Sequence, residues 1–315
     1  MSLTTPAKTA TLGADVVRAQ LAGKRADVAG TAFRIALLAA LFFSLLILAV
    51  LVHDVVTQGW SVLGTRFSDF LGGTLRSLPD EAGIHQGLRG TFWIGAIVVV
   101  VAFPLGVAAA LYLEEYAPDT RFVRLIDVNI RNLAGVPSIV YGILGFAIFV
   151  KSLGGLTGGR SVIAAGVTLA ILVLPIVIIT SAEAIRAVPS GIKEAGFGVG
   201  ATGWEVIRYH VLPYAAPGIL TGTVLSLARA LGEAAPLILI GAVQNRLGSD
   251  PGIFDLGALQ DRFTAMPMVI TTWAGMPQEG FRSNTAAAIV VLLALVLMAN
   301  ATAILLRNRY EKKRR

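Results

Sequence analysis

Residues 217–243 read PGILTGTVLSLARALGEAAPLILIGAV, and this stretch sets the problem the rest of the chain has to answer. It is apolar enough for a membrane-spanning helix, yet it holds Arg229 and Glu233 near its middle. Residues 211–228 carry no charged side chain, and residues 237–243 are equally apolar. A charge near the centre of a bilayer costs about 2.5–3.5 kcal/mol on insertion scales. In a continuous helix a spacing of four places both side chains on one face, within reach of each other. Such charges mark a polar path more often than they serve packing. The plainer alternative is an ion pair that only neutralises itself.

The composition around this stretch is that of a membrane protein. Of 315 residues, 55% are hydrophobic and only 14% charged, with a mean hydropathy of +0.75. A soluble chain carries about 25% charged residues. The apolar residues fall into runs, and five more lie at 35–52, 92–113, 133–150, 161–182 and 284–306. Each is long enough to cross a hydrocarbon core of about 30 Å as a helix. The expected fold class is therefore all-α: a polytopic membrane protein of six transmembrane helices. A tail of residues 1–32 precedes the membrane domain, 33–306, and a basic tail, 307–315, follows it. The run at 35–52 is too long for the apolar part of a signal peptide, so it reads as a retained first span.

Six spans put both ends of the chain on one side, and the basic residues choose which side. The segments on the amino-terminal side carry 17 Lys and Arg, the opposite loops 8, which predicts cytoplasmic termini. The basic residues 307–315 read as a stop-transfer signal and a contact for membrane lipid, with no nucleic acid among the expected partners. Prolines 104, 137, 175 and 236 and glycines 135, 142, 145, 218 and 222 lie within the spans. Each is read first as a packing device, with kinked helices lining a path as the sharper reading. In the outer loop, 244–283, the apolar run 266–273 is too short to span and is expected at the interface or over the outer mouth.

The most patterned polar segment is the loop between spans four and five, residues 183–216. Pro189 followed by Ser190 suits a helix start. Gly200-Ala201 breaks that helix, and Thr202-Gly203-Trp204-Glu205 is a capping box for a second one over 204–212. Pro213 and Pro217 are expected to end it.

Within this loop, Glu194-Ala195-Gly196, then Gly200, then Leu212-Pro213 resembles the EAA loop of ABC importer permeases. Two positions depart from the general pattern: Gly196 stands for an alanine and His210 for an apolar residue. A closer resemblance is to phosphate-specific importer permeases of the PstA-like kind. Residues 112–117 (YLEEYA), 135–142 (GVPSIVYG), 183–189 (EAIRAVP), 217–222 (PGILTG) and 228–237 (ARALGEAAPL) carry it. The order and spacing of these segments over residues 87–310 are specific where each alone is weak.

The resemblance implies an ABC importer type I permease fold and a place in a larger complex. The implied partners are a PstC-like permease forming a heterodimer with this chain, two PstB-like ATPase subunits and an external phosphate-binding protein. The implied roles are an ATPase-coupling loop at Glu194, Ala195, Gly200, Leu212 and Pro213, and a translocation path at Arg229 and Glu233. No cofactor is expected on this chain, since ATP is used by the partner ATPase. A guanidinium pairs bidentately with phosphate oxygens and stays charged. Glu233 beside it would hold the guanidinium and weaken the site enough to release the anion.

The chain has no Gly-x-x-x-x-Gly-Lys-Ser/Thr loop, the signature of an ATPase of the complex. With no cysteine, disulfides and thiolate chemistry are excluded. His53, His85 and His210 have no metal-ligand spacing, so no metal site is expected. No Gly-x-Ser-x-Gly or His-Glu-x-x-His motif supports an intramembrane hydrolase. A stand-alone channel would leave the patterned cytoplasmic loop without a task. Sulfate and molybdate stay open as substrates, because they are tetrahedral oxyanions too.

Overall fold

The computed structural model describes residues 28–243 and 255–312. Most of the expected amino-terminal tail, the start of the outer loop and the last three residues lie outside these. Two units divide the chain, Met1–Asp54 and Val55–Arg315. Among the described residues every regular element is helical.

Helix α1, Val28–Gly72, contains the first predicted span and continues 20 residues past its end. His53, Asp54, Arg66 and Asp69 place residues 53–72 in a loop on hydropathy alone. They are helical because Val62 and Phe70 are buried with Leu63 and Leu71 beside them, an apolar stripe between the charges. At Arg66 the backbone leaves helical geometry, with φ −140° and ψ 42°. Its guanidinium there donates to the carbonyls of Pro79, Asp80 and Ala82 and to Asn284 Oδ1.

The next helices are α2 (His85–Leu111), α3 (Arg121–Ala134), α4 (Ser138–Gly145) and α5 (Val162–Arg186). Helix α5 is the hub of the second unit, packing against α2, α3 and α4. It can be a hub because it lacks charge until Glu183 and presents small residues, with Ala164, Ala165, Ala170 and Val173 all buried. Ser161 caps it, accepting a hydrogen bond from Ala164 N at 3.2 Å.

The third predicted span, 133–150, is not one straight helix. α3 and α4 meet at 101°, and a π-helical turn, Phe146–Ser152, prolongs α4. The break has a local cause: Pro137 lacks an N–H and drives the residue before it out of helical geometry. Among the described residues five helices are long and apolar enough to cross a membrane alone, or up to six if the bent pair counts as one span.

Beyond α5 lie α6 (Ser190–Gly198), α7 (Gly203–Val206), α8 (Leu212–Gly232), α9 (Ala235–Ile240), α10 (Met266–Ala274) and α11 (Gly280–Lys312). Helix α8 packs on α5, α2 and α11. The short apolar run expected at the interface or over the outer mouth is α10, and its large side chains are buried within this chain. Met266, Met268, Val269 and Trp273 are buried, and the Trp273 ring lies 6.2 Å from Phe70 and 5.6 Å from Phe281. Nine residues that need not cross the bilayer still bury four large side chains against α11 and α2.

Candidate functional site

The opening stretch does not fold as one helix. α8 ends at Gly232, Glu233 is extended (φ −81°, ψ 117°), and α9 restarts at Ala235. Pro236 explains this, since it has no N–H to give the Gly232 carbonyl and its ring crowds that carbonyl. Gly232 adds its own low helix propensity. Arg229 therefore lies in the last turn of a helix, where the negative end of the dipole favours a cation. Breaks of this kind put charge and unpaired backbone at depth in a membrane only where protein or a water-filled cavity surrounds them.

Arg229 and Glu233 still meet. Arg229 Nε lies 3.6 Å from Glu233 Oε1, too far for a good hydrogen bond. The Arg229 side chain is 46% exposed and that of Glu233 20%. Arg229 continues an exposed stripe of α8 with Thr221, Leu225 and Gly232, while Gly222, Ser226, Ala230 and Leu231 are buried behind it. The pair is thus loose, and this chain leaves its face open. A loosely held guanidinium keeps donors for an incoming anion, which a tight bidentate pair would not.

Two of the segments singled out in the sequence meet behind this break. A Cβ on Gly142 would stand 2.7 Å from Pro236 Cα and 2.9 Å from Leu239 Cδ1, so α4 and α9 touch by backbone. A large cavity, about 830 Å³ between α2, α8 and α11, is a different place. Its lining includes Val99, Phe103, Leu212 and Val224 but neither Arg229 nor Glu233, and it is apolar.

In the loop after α5, Glu194 and Ala195 lie in α6, and the chain turns at Gly200 with φ +83°. The capping box is present: Thr202 N donates to Glu205 Oε2 at 2.8 Å and Glu205 N to Thr202 Oγ1 at 3.4 Å. Gly196 has a packing reason, because a Cβ there would lie 2.9 Å from Val206 Cγ2 on α7. Pro213 and Pro217 do not end the second helix, against expectation: Pro217 lies inside α8, and Leu212 and Pro213 begin it. A π-helical turn, Ile207–Val211, precedes them. Such a turn leaves one carbonyl without its usual donor, and Pro213 has none to give. Helix α7 thereby runs into the fifth span without a loop.

Two ion pairs tie this region to the π-helical turn Tyr112–Tyr116 that continues α2, and sequence reasoning missed them. Lys193 Nζ on α6 lies 2.6 Å from Glu115 Oε1, and Arg186 holds Glu114 through Nε at 3.2 Å and Nη2 at 2.5 Å. Glu115 is only 10% exposed, so its pair is better shielded than an ordinary surface bridge. The available signal was the doubled acid Glu114-Glu115 at the end of an uncharged run, opposite the basic Arg186 and Lys193.

Comparison with known proteins places this geometry. The model of the family described as binding-protein-dependent transport system inner membrane component matches residues 102–313. The chain is 30% identical over 263 residues to phosphate transport system permease protein PstA 1 of Mycobacterium tuberculosis, covering 83% of this chain and 82% of that one. It is 31% identical over 218 residues to the permease protein PstC of Mesorhizobium japonicum, covering 62% and 66%. Among solved structures, a chain of a bacterial alginate ABC transporter, in complex with its alginate pentasaccharide-bound periplasmic protein, matches with a TM-score of 0.60. That match has 13% identity and covers 86% of this chain and 92% of the other, which speaks for the fold alone. These relatives are named as permease proteins of transport systems and not as enzymes. This multi-pass membrane protein belongs to the binding-protein-dependent transport system inner membrane component family and is a permease subunit of an ABC importer.

Proposed function

We propose that the chain forms, with a paralogous PstC-like permease, the path by which inorganic phosphate enters the cytoplasm. One of two ATPase subunits docks on the loop containing Glu194, Ala195 and Gly200, and an external binding protein delivers the anion. The observation that carries this reading is the loose Arg229–Glu233 pair at a helix break on an open face of α8. A guanidinium with free donors suits an oxyanion stripped of water. The similarity to phosphate permeases over most of the chain favours phosphate among the oxyanions. Uptake of radiolabelled phosphate by a strain deleted for this chain tests it. Restoring the chain is expected to restore uptake, with excess sulfate or molybdate having little effect. Competition by sulfate equal to that by unlabelled phosphate would move the assignment to another oxyanion.

The orientation belongs to the same proposal, with both termini and α6 in the cytoplasm. Because the chain has no cysteine, single introduced thiols report sidedness. Val199→Cys and Leu156→Cys lie at exposed positions on segments that the topology puts on opposite sides. An impermeant maleimide is expected to label Leu156→Cys in intact cells and Val199→Cys only in opened ones. The reverse pattern would invert the topology.

A further inference from the structure

The start of α2 carries a charge used by neither the Arg229 face nor the coupling loop. Arg89 is 8% exposed, and its Nε and Nη2 have no hydrogen-bond acceptor among the described residues. An unpaired buried charge is strongly destabilising. The segment leading into α10 crosses α2 at this level. The Thr264 carbonyl presses so closely on Gly90 that no side chain fits there, and Met266 N donates to Thr91 Oγ1 at 2.8 Å. Thr264 is 1% exposed, and its Oγ1 also lacks a partner. Unmet polar groups thus flank one crossing, two N–H groups from Arg89 and a hydroxyl from Thr264.

Nε and Nη2 form one edge of the guanidinium, with parallel donors matched to two oxygens of a single oxyanion. The positive end of the α2 dipole adds to the field there. Farther along α2, a Cβ on Gly95 would stand 3.0 Å from Leu231 Cδ2. Six residues of helix therefore carry Arg89 about 9 Å beyond the level of Leu231, toward the 73–84 turn. In the proposed orientation that direction is outward.

We propose that Arg89 is a second oxyanion-binding residue, nearer the outside than Arg229, which takes a tetrahedral oxyanion on its Nε–Nη2 edge with the Thr264 hydroxyl as a further donor. This rests on the reading of the chain as an oxyanion importer. It supplies that importer with an entry position where the anion leaves water before it reaches Arg229.

The test is made on the whole complex, permease pair with ATPase subunits, in nanodiscs without nucleotide. Its thermal unfolding midpoint is followed against inorganic phosphate or sulfate at fixed ionic strength, with chloride as control. In the unaltered complex a bound oxyanion is expected to raise the midpoint of this chain's unfolding by roughly 1–2 °C at ten times its Kd. Arg89→Met is expected to remove most of that rise while the anion-free midpoint stays equal or increases, because an unpaired buried charge is gone. Phosphate uptake by Arg89→Met is expected to fall about tenfold, the size of effect that follows from removing one charged hydrogen-bond donor to the anion. Arg89→Lys is expected to keep part of both, since it retains the charge and loses the fork. An oxyanion response undiminished in Arg89→Met overturns the proposal. So does dissociation of the Arg89→Met complex, which would assign Arg89 to a carboxylate of a neighbouring chain. A response to sulfate alone, lost in Arg89→Met, supports the site and overturns the phosphate reading instead. No oxyanion response in a complex that still imports phosphate overturns the site and leaves the importer reading standing.

Discussion

Replacing Arg229 with glutamine is expected to lower ATP-driven phosphate uptake about 100-fold, the effect of removing one partner from a desolvated charge pair at about 2–5 kcal/mol. The complex is expected to stay assembled. Arg229 is nearly half exposed in the last turn of α8, so its structural share is the helix-dipole effect of about 0.3–1 kcal/mol. Arg229→Lys keeps the charge but loses the planar fork, and about a tenfold loss is expected. Glu233→Ala frees the guanidinium, so the anion is held longer and turnover falls while apparent affinity rises. Initial rates of phosphate uptake over a range of loaded binding protein measure all three. If Arg229→Lys and Glu233→Ala both transported at the unaltered rate, the pair would not touch the anion.

The second large effect concerns the link between the loop and the spans. Glu115→Lys places a second cation where Lys193 Nζ now lies 2.6 Å from a carboxylate, at a position with little water to screen it. Movement of α6 would then lose this direct bridge, since the remaining exposed pair, Arg186–Glu114, is held by the end of α5. The expected result is uptake lowered about tenfold with ATP hydrolysis maintained, so that more ATP is used per anion moved. Reversing the pair, Glu115→Lys with Lys193→Glu, is expected to recover most of the coupling. Hydrolysis and uptake measured on the same proteoliposomes give the ratio. A ratio unchanged in Glu115→Lys would mean that the bridge only holds the loop in place.

The membrane fold was legible because length and the absence of charge decide it: the run 92–113 is covered by α2 and the π-helical turn Tyr112–Tyr116 that continues it, and the run 161–182 by α5 with its cap Ser161. What hydropathy does not carry is backbone continuity. Pro137 and Pro236 each break an apolar run, whereas Pro104, Pro175 and Pro217 sit inside unbroken helices. Pro213 is passed too, after a π-helical turn. At Pro236 the low helix propensity of Gly232 adds to the missing N–H, and the restarted helix α9 lies on Gly142. Charge hid the second half of α1, because Arg66 was counted without the carbonyls it would bond. At the candidate site the identity of Arg229 and Glu233 was readable, but their geometry was not. They face each other across the end of a helix and not along one face. The Glu115–Lys193 pair joins residues 78 apart, beyond any local pattern.

The most direct test uses proteoliposomes that hold this chain, its paralogous permease and the ATPase subunit, with binding protein outside and ATP trapped at the ATPase face. Radiolabelled phosphate is expected to accumulate against its gradient only with ATP and binding protein present, with little inhibition by excess sulfate or molybdate and near-complete loss in Arg229→Gln. Phosphate flux that needs no ATP, or equal accumulation by the Arg229→Gln complex, would contradict an ATP-driven path through the Arg229–Glu233 face.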